Sequence, residues 1–312
     1  MDVRSGVLAG DTRSIARAIS WVENDDPRAA ELIRGIYPST GRAYIVGLTG
    51  SPGVGKSTLV SRMAALMATG KRKVGVLAVD PTSPFSGGAI LGDRVRMFDV
   101  ALSPNVYIRS MGTRGSLGGI SRATRMASRV LDAAGFDWVL VETVGAGQSE
   151  VDVHDVAYTT VVVMAPGMGD EIQAMKAGIM EIGDVFVVNK ADRDGADRTA
   201  AQVASIVQLS DEREWHPPVL KVSAELNQGI ERVIDAIEQH KSYLEQSGKL
   251  AEAKASMARR DVLEILRARL SEDLRHELDQ PALQEKLDEV ANRQSDPYTL
   301  VDTVFEQYWR KT

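Results

Sequence analysis

Gly50-Ser51-Pro52-Gly53-Val54-Gly55-Lys56-Ser57-Thr58 concentrates the chemistry of this chain. It satisfies the pattern G-x-x-x-x-G-K-[S/T] at every fixed position. Glycines let backbone N–H groups wrap an anion, the lysine reaches the outer phosphates, and the hydroxyl that follows binds a divalent cation. Lys56 is therefore expected at the β- and γ-phosphates and Ser57 at Mg²⁺. Gly50, Ser51, Pro52, Gly53, Val54, Gly55 and Thr58 form the rest of the cradle. The flanks supply the geometry. Tyr44-Ile45-Val46-Gly47-Leu48-Thr49 reads as a strand, while Leu59, Met63, Leu66 and Met67 read as one helix face. Strand, glycine-rich turn and helix N-terminus make a phosphate site. An ordinary βα turn is the plain alternative, and both flanks argue against it.

A second cluster addresses the base. Asp184-Val185-Phe186-Val187-Val188 reads as a buried strand that runs into Asn189-Lys190-Ala191-Asp192. The Asp192 carboxylate can accept from guanine N1–H and N2–H₂, which adenine does not present together. Asn189 would hold the loop and approach the base edge, and Lys190 would lay its methylene stem on the purine face. Strand Val219-Leu220-Lys221-Val222 leads into Ser223-Ala224-Glu225, whose N–H groups would meet the guanine O6. All three clusters end predicted parallel strands, where open α/β sheets bind ligands. The bound nucleotide is expected to be GTP or GDP.

Acidic residues complete the metal side. Asp80 ends the strand Val74 to Val79 and is placed to hold Mg²⁺ directly or through water. Asp93 follows a loop bearing Gly87, Gly88 and Gly92; it serves the metal or the attacking water, or else caps a helix. Glu142-Thr143-Val144-Gly145 stands where D-x-x-G is usual, so Glu142 is expected near the metal and Gly145 at the γ-phosphate. The water-orienting Gln common after that glycine is replaced by Ala146. Gln148 is the nearest substitute, which predicts slow intrinsic hydrolysis that a partner accelerates. The catalytic set is thus Lys56, Asp93, Glu142 and Gln148, with Arg109, Arg114 and Lys176 as further cations that are more readily structural. Residues 165–176 read either as a further switch or as a simple βα turn.

Composition bounds the remainder. The chain has 312 residues, 44% hydrophobic and 26% charged, as in ordinary globular proteins. A net charge of −6 gives no electrostatic case for nucleic acid or anionic membranes. There is no cysteine and there are four histidines, so thiolate sites are excluded and soft-metal delivery is disfavoured. Neither a signal peptide nor an apolar membrane span is read, and the expected address is cytoplasmic, or an organelle matrix.

The elements that must position these residues follow a βα alternation from 42 to 247, with strands near 43–49, 73–79, 106–110, 137–143, 159–165, 184–189 and 218–222. This predicts an α/β fold with a mostly parallel sheet flanked by helices. Residues 1–41 form an N-terminal helical extension: one or two helices over 11–36, broken at Asp25-Asp26-Pro27, then a linker at Tyr37 to Gly41. Residues 248–312 read as helices with apolar stripes at Met257, Val262, Leu263, Ile265, Leu266 and Leu270, and at Tyr298, Val301, Val304, Phe305, Tyr308 and Trp309. Those stripes either pack on the central domain or form a dimerisation arm.

Taken together, these motifs resemble the MeaB/ArgK family of P-loop GTPases. The resemblance rests on Gly50 to Thr58 and on Val79-Asp80-Pro81-Thr82-Ser83-Pro84 with Gly87-Gly88, Ile90-Leu91-Gly92-Asp93 and Met97. Leu117-Gly118-Gly119, Glu142 to Gly145 with Gly147-Gln148-Ser149-Glu150, and Asn189-Lys190 with Asp192 complete it. It implies a homodimeric GTP-hydrolysing chaperone that gates cofactor loading or protection of an adenosylcobalamin-dependent acyl-CoA mutase of the methylmalonyl-CoA type. Its ligands would be Mg²⁺ and GTP or GDP, with cobalamin on the mutase. Two other readings stay open: a metallochaperone GTPase of the hydrogenase or urease nickel-insertion type, and a P-loop kinase. The first needs metal ligands and the second an acceptor pocket.

Overall fold

The structure is a computed structural model that describes residues 2–80, 103–112, 122–143, 152–167, 178–208 and 214–311. The chain forms two compact units, Met1–Met257 and Ala258–Thr312.

The first unit is built on seven strands: β1 (Tyr44–Thr49), β2 (Val74–Asp80), β3 (Val106–Gly112), β4 (Trp138–Thr143), β5 (Thr159–Met164), β6 (Val185–Val188) and β7 (Val219–Lys221). Their order is β3-β2-β4-β1-β5-β6-β7, and every neighbouring pair runs parallel. β1, β4 and β5 are buried along their whole length, as strands covered on both faces must be. From β1 the chain crosses to β2 on one side, and later to β5, β6 and β7 on the other. The order reverses at β1, so the crevice for a ligand opens beyond its C-terminal end.

Three N-terminal helices precede the sheet: α1 (Val3–Leu8), α2 (Thr12–Glu23) and α3 (Pro27–Ile36). Each starts at an aspartate that accepts from the first turn. Asp11 accepts from Ser14 N–H at 2.8 Å, and Asp26 from Arg28 N–H at 2.9 Å behind Pro27. α2 and α3 match the helices expected over 11–36, whereas α1 falls outside that expectation, since only Val3 and Val7 signal its buried face. The supposed linker is also more ordered than expected. Tyr37–Ser39 is a 3₁₀ turn, and the N–H groups of Gly41, Arg42 and Ala43 all donate to the buried Asp132 carboxylate.

Asp132 belongs to α5 (Arg122–Ala133), which follows α4 (Lys56–Met67) in chain order and is buried from Thr124 to its end. Val7, Ile15, Ile19, Leu32 and Ile36 join the same apolar core as the sheet. Burying a side chain of this size contributes about 1.5–3 kcal/mol, so the N-terminal helices are bound by several such contacts. Among the described residues the remaining α-helices of this unit are α6 (Ile179–Ile182), α7 (Ala196–Gln208), α8 (Ile230–Gln246) and the first part of α9 (Lys249–Leu278). Gly248, with φ of +78°, turns the chain between α8 and α9.

The second unit holds the rest of α9, then α10 (Pro281–Ala291) and α11 (Pro297–Lys311). Leu283 and Leu300 are buried. Val262, Leu263, Ile265, Leu266, Tyr298, Val301 and Phe305 are exposed. Among the described residues no helix is long and apolar enough to cross a membrane.

Candidate nucleotide site

The loop after β1 has the backbone its glycines foretell. Gly50 has φ of +139°, and a Cβ there would stand 2.0 Å from the Val163 carbonyl oxygen of β5. Gly55 has φ of +93°, and a Cβ there would lie 2.4 Å from the Asn189 amide nitrogen. No larger residue fits either place. Gly55 is also the N-cap of α4 and gives it no side-chain acceptor. The start of α4 is the positive end of the helix dipole, a place that suits an anion.

Lys56 is buried, and its ammonium donates to the carbonyls of Gly50 at 2.6 Å and Ser51 at 2.9 Å. The charge is folded over the mouth of its own loop. Next to it, Ser57 Oγ donates to Glu142 Oε1 at 2.6 Å. Glu142 lies near the end of β4 in register with Leu48 of β1 and Ala78 of β2, and is buried. Glu142, expected near the metal, thus has its carboxylate on the Ser57 hydroxyl. A hydroxyl and a carboxylate converging at a phosphate loop are hard oxygen donors of the kind Mg²⁺ takes. Asp80 ends β2 one residue beyond the Val79–Thr143 rung, and its backbone is in register with Gly112. The Asp80 side chain lies outside the described residues, as do Asp93, Arg114, Gly145, Gln148 and 168–177, which include Lys176.

Base-motif residues tie the loops together. Asn189 is 2% exposed. Its amide donates to the Val54 carbonyl at 2.8 Å and accepts from Ala224 N–H at 3.0 Å. One side chain thus links the phosphate loop, the end of β6 and the loop after β7. Lys190, with φ of +58°, sends its ammonium to the Gly53 carbonyl at 2.6 Å. That bond ties the base-motif loop to the phosphate loop. The exposed Asp192 accepts from the Ser223 hydroxyl, and this bond above all holds its carboxyl below the usual range. Asp192 is therefore an ionised acceptor at neutral pH, the form suited to two N–H donors. Glu225 lies beside this cluster and is exposed. Arg62 of α4 donates to the Ala224 carbonyl at 3.3 Å, a brace that no motif signals.

Arg109 is engaged elsewhere. It pairs with Glu23 at 2.8 Å and Ser20 Oγ at 3.1 Å, both on α2.

A phosphate loop, a paired hydroxyl and carboxylate, and a guanine-type acceptor on one sheet edge define the class as a P-loop GTPase. Residues 15–279 match the family described as methylmalonyl Co-A mutase-associated GTPase MeaB, and the chain belongs to that family. A Pyrococcus abyssi protein is 45% identical over 302 residues, covering 96% of this chain and 93% of its own. The GTPase ArgK of Escherichia coli is 36% identical over 278 residues, 86% and 83% of the two chains. The mitochondrial methylmalonic aciduria type A homolog of Mus musculus is 35% identical over 266 residues, 79% and 64%. Among solved structures, a crystal structure described as LAO/AO transport system kinase aligns with TM-score 0.71 and 28% identity over 98% of this chain and 96% of that one.

Proposed function

We propose that this GTPase is a chaperone that couples its nucleotide state to an adenosylcobalamin-dependent acyl-CoA mutase. The observation that carries the reading is the match of residues 15–279 to a mutase-associated GTPase family. The site geometry supports a nucleotide switch. The Lys56 ammonium would leave the Gly50 and Ser51 carbonyls and turn to the outer phosphates, exchanging two neutral acceptors for charged ones. Ser57, Glu142 and Asp80 would hold Mg²⁺, which would neutralise the growing phosphate charge. Ser57 would then give up its bond to Glu142, so binding would rearrange the end of β4 just ahead of Gly145. Asp93 and Gln148 are the proposed groups at the attacking water. With Ala146 in place of the usual glutamine, basal hydrolysis would be slow and the partner would supply the acceleration.

The exposed apolar residues of α9 and α11 support a homodimer formed through residues 248–312. Residues 42–247 would be the GTPase domain, with 1–41 its helical extension. Cytoplasm is the proposed address, and cobalamin would stay on the mutase.

GTP hydrolysis by the purified protein, alone and with an adenosylcobalamin-dependent acyl-CoA mutase, tests the proposal. Basal turnover rising many-fold on adding mutase is expected. An unchanged rate, with no complex in either nucleotide state, would remove the chaperone reading and leave a GTPase with another client.

A further inference from the structure

Glu23 is the last residue of α2, where a negative charge faces the negative end of its own helix. Its side chain is only 11% exposed, so water does little to relieve the mismatch. What holds it there is β3. Glu23 Oε2 accepts from Arg109 Nη2 at 2.8 Å, and Oε1 accepts from the backbone N–H of Gly112 at 3.2 Å. Ser20 Oγ, one turn earlier, takes a second bond from the same Arg109 nitrogen. Among the described residues β3 is an edge strand, and no strand pairs with the N–H groups on its outer side. Glu23 occupies that place at the C-terminal end. Gly112 is in register with Asp80, which makes it the last rung before the metal side of the site. The neighbouring Asp25–Arg122 pair joins the same corner to α5; Asp25 is 74% exposed, so that pair contributes little.

We propose that Glu23, oriented by Arg109, is a positioning residue for the metal side of the nucleotide site. It fixes Gly112, and through the Asp80–Gly112 rung it fixes the backbone from which the Asp80 carboxylate projects. The N-terminal helices then form part of the nucleotide machinery. This inference rests on the reading of Asp80 as a metal ligand.

The test is a binding measurement. The affinity of the full chain for a fluorescent GDP analogue is titrated with Mg²⁺ for wild type, Glu23→Ala, Glu23→Gln, Arg109→Ala and Asp80→Ala. Glu23→Ala should need roughly threefold to tenfold more Mg²⁺ for the half-maximal effect, less than the loss of a direct outer-shell partner. Its affinity without Mg²⁺ should match wild type. Glu23→Gln keeps an acceptor for the Gly112 N–H and should recover most of the shift. If Glu23→Ala does not fold, Arg109→Ala takes its place, with a smaller shift in the same direction. A lowered melting temperature with an unmoved Mg²⁺ midpoint marks a purely structural tie and overturns the proposal, provided Asp80→Ala does move it. A midpoint unmoved in Asp80→Ala overturns the Asp80 reading itself.

Discussion

At the C-terminal ends of the strands, Lys56, Asn189 and Lys190 bond mostly to loop backbone, and Ser57 meets Glu142. At the N-terminal ends, polar side chains bond to one another instead. Tyr44 OH meets Thr159 Oγ1 at 2.8 Å, and Thr159 Oγ1 meets His240 Nδ1 at 2.9 Å. His240 Nε2 lies 3.5 Å from Asp184 Oδ1. Asp184 also accepts from Thr160 N–H at 2.8 Å, and its carbonyl accepts from the Trp215 indole at 2.9 Å. Trp215 and Tyr243 lie against the His240 ring, Tyr243 stacked on it and Trp215 tilted. Burial pushes His240 down to about 4 and raises Tyr44, so at neutral pH both are uncharged and the His240–Asp184 contact is not an ion pair.

The contrast separates binding from holding. The N-terminal network is closed: its members satisfy each other under an aromatic cover, and a ligand could displace nothing without leaving a buried group unbonded. The C-terminal set is exchangeable. Lys56 and Lys190 bond to carbonyls, neutral acceptors that a phosphate outcompetes for a cation.

This division predicts where substitutions will be felt. The largest effect is on ligand affinity: Lys56→Ala should weaken GTP binding at least about a hundredfold, roughly 3 kcal/mol or more, with the melting temperature little changed. Calorimetric titration beside a thermal melt checks both halves, and unchanged affinity would refute the phosphate-loop assignment. Asn189→Ala should cost both. It strips partners from Val54 and Ala224 in a buried place, for about 3 kcal/mol of stability and a matching loss of affinity. Retained stability with lost affinity would show that Asn189 serves the base alone.

At the other end only stability should respond. His240 binds its proton less readily folded than unfolded, so its contribution is present above pH about 6.5 and is lost as pH falls towards about 4. Urea unfolding across that window should show a loss on the order of 3 kcal/mol attributable to His240, absent in His240→Asn. An identical slope in the variant would place the acid sensitivity elsewhere. The smallest effect is Tyr44→Phe, about 1 kcal/mol, since Thr159 keeps its bond to His240. GTP affinity should stay at the wild-type value, and a shift in it would break the division between the two ends.

What the sequence discloses divides along the same line. The seven strands, the phosphate loop and the base motif are legible because each is a local pattern of β-branched runs, glycines and polar exits. Partners distant in sequence are not. The Ser57–Glu142 bond joins residues 85 apart and the Lys190–Gly53 bond residues 137 apart. No local pattern forecasts that Lys190 would brace the phosphate loop rather than only cover a purine. His240 and Asp184 are unremarkable in sequence because neither sits in a motif; only folding brings β1, β5 and α8 together around them. Glu23 did leave a trace, an acidic residue at the end of a helix that ought to avoid one.

Guanine selectivity at the exchangeable end is expected to rest on the Asp192 carboxylate. GTP and xanthosine triphosphate affinities of wild type and Asp192→Asn test it most directly, because an amide in place of the carboxylate can donate to the 2-oxo group of xanthine. The expected result is a fall in GTP affinity with a rise for xanthosine triphosphate, at an unchanged melting temperature. Retained preference for GTP in the variant would contradict the assignment.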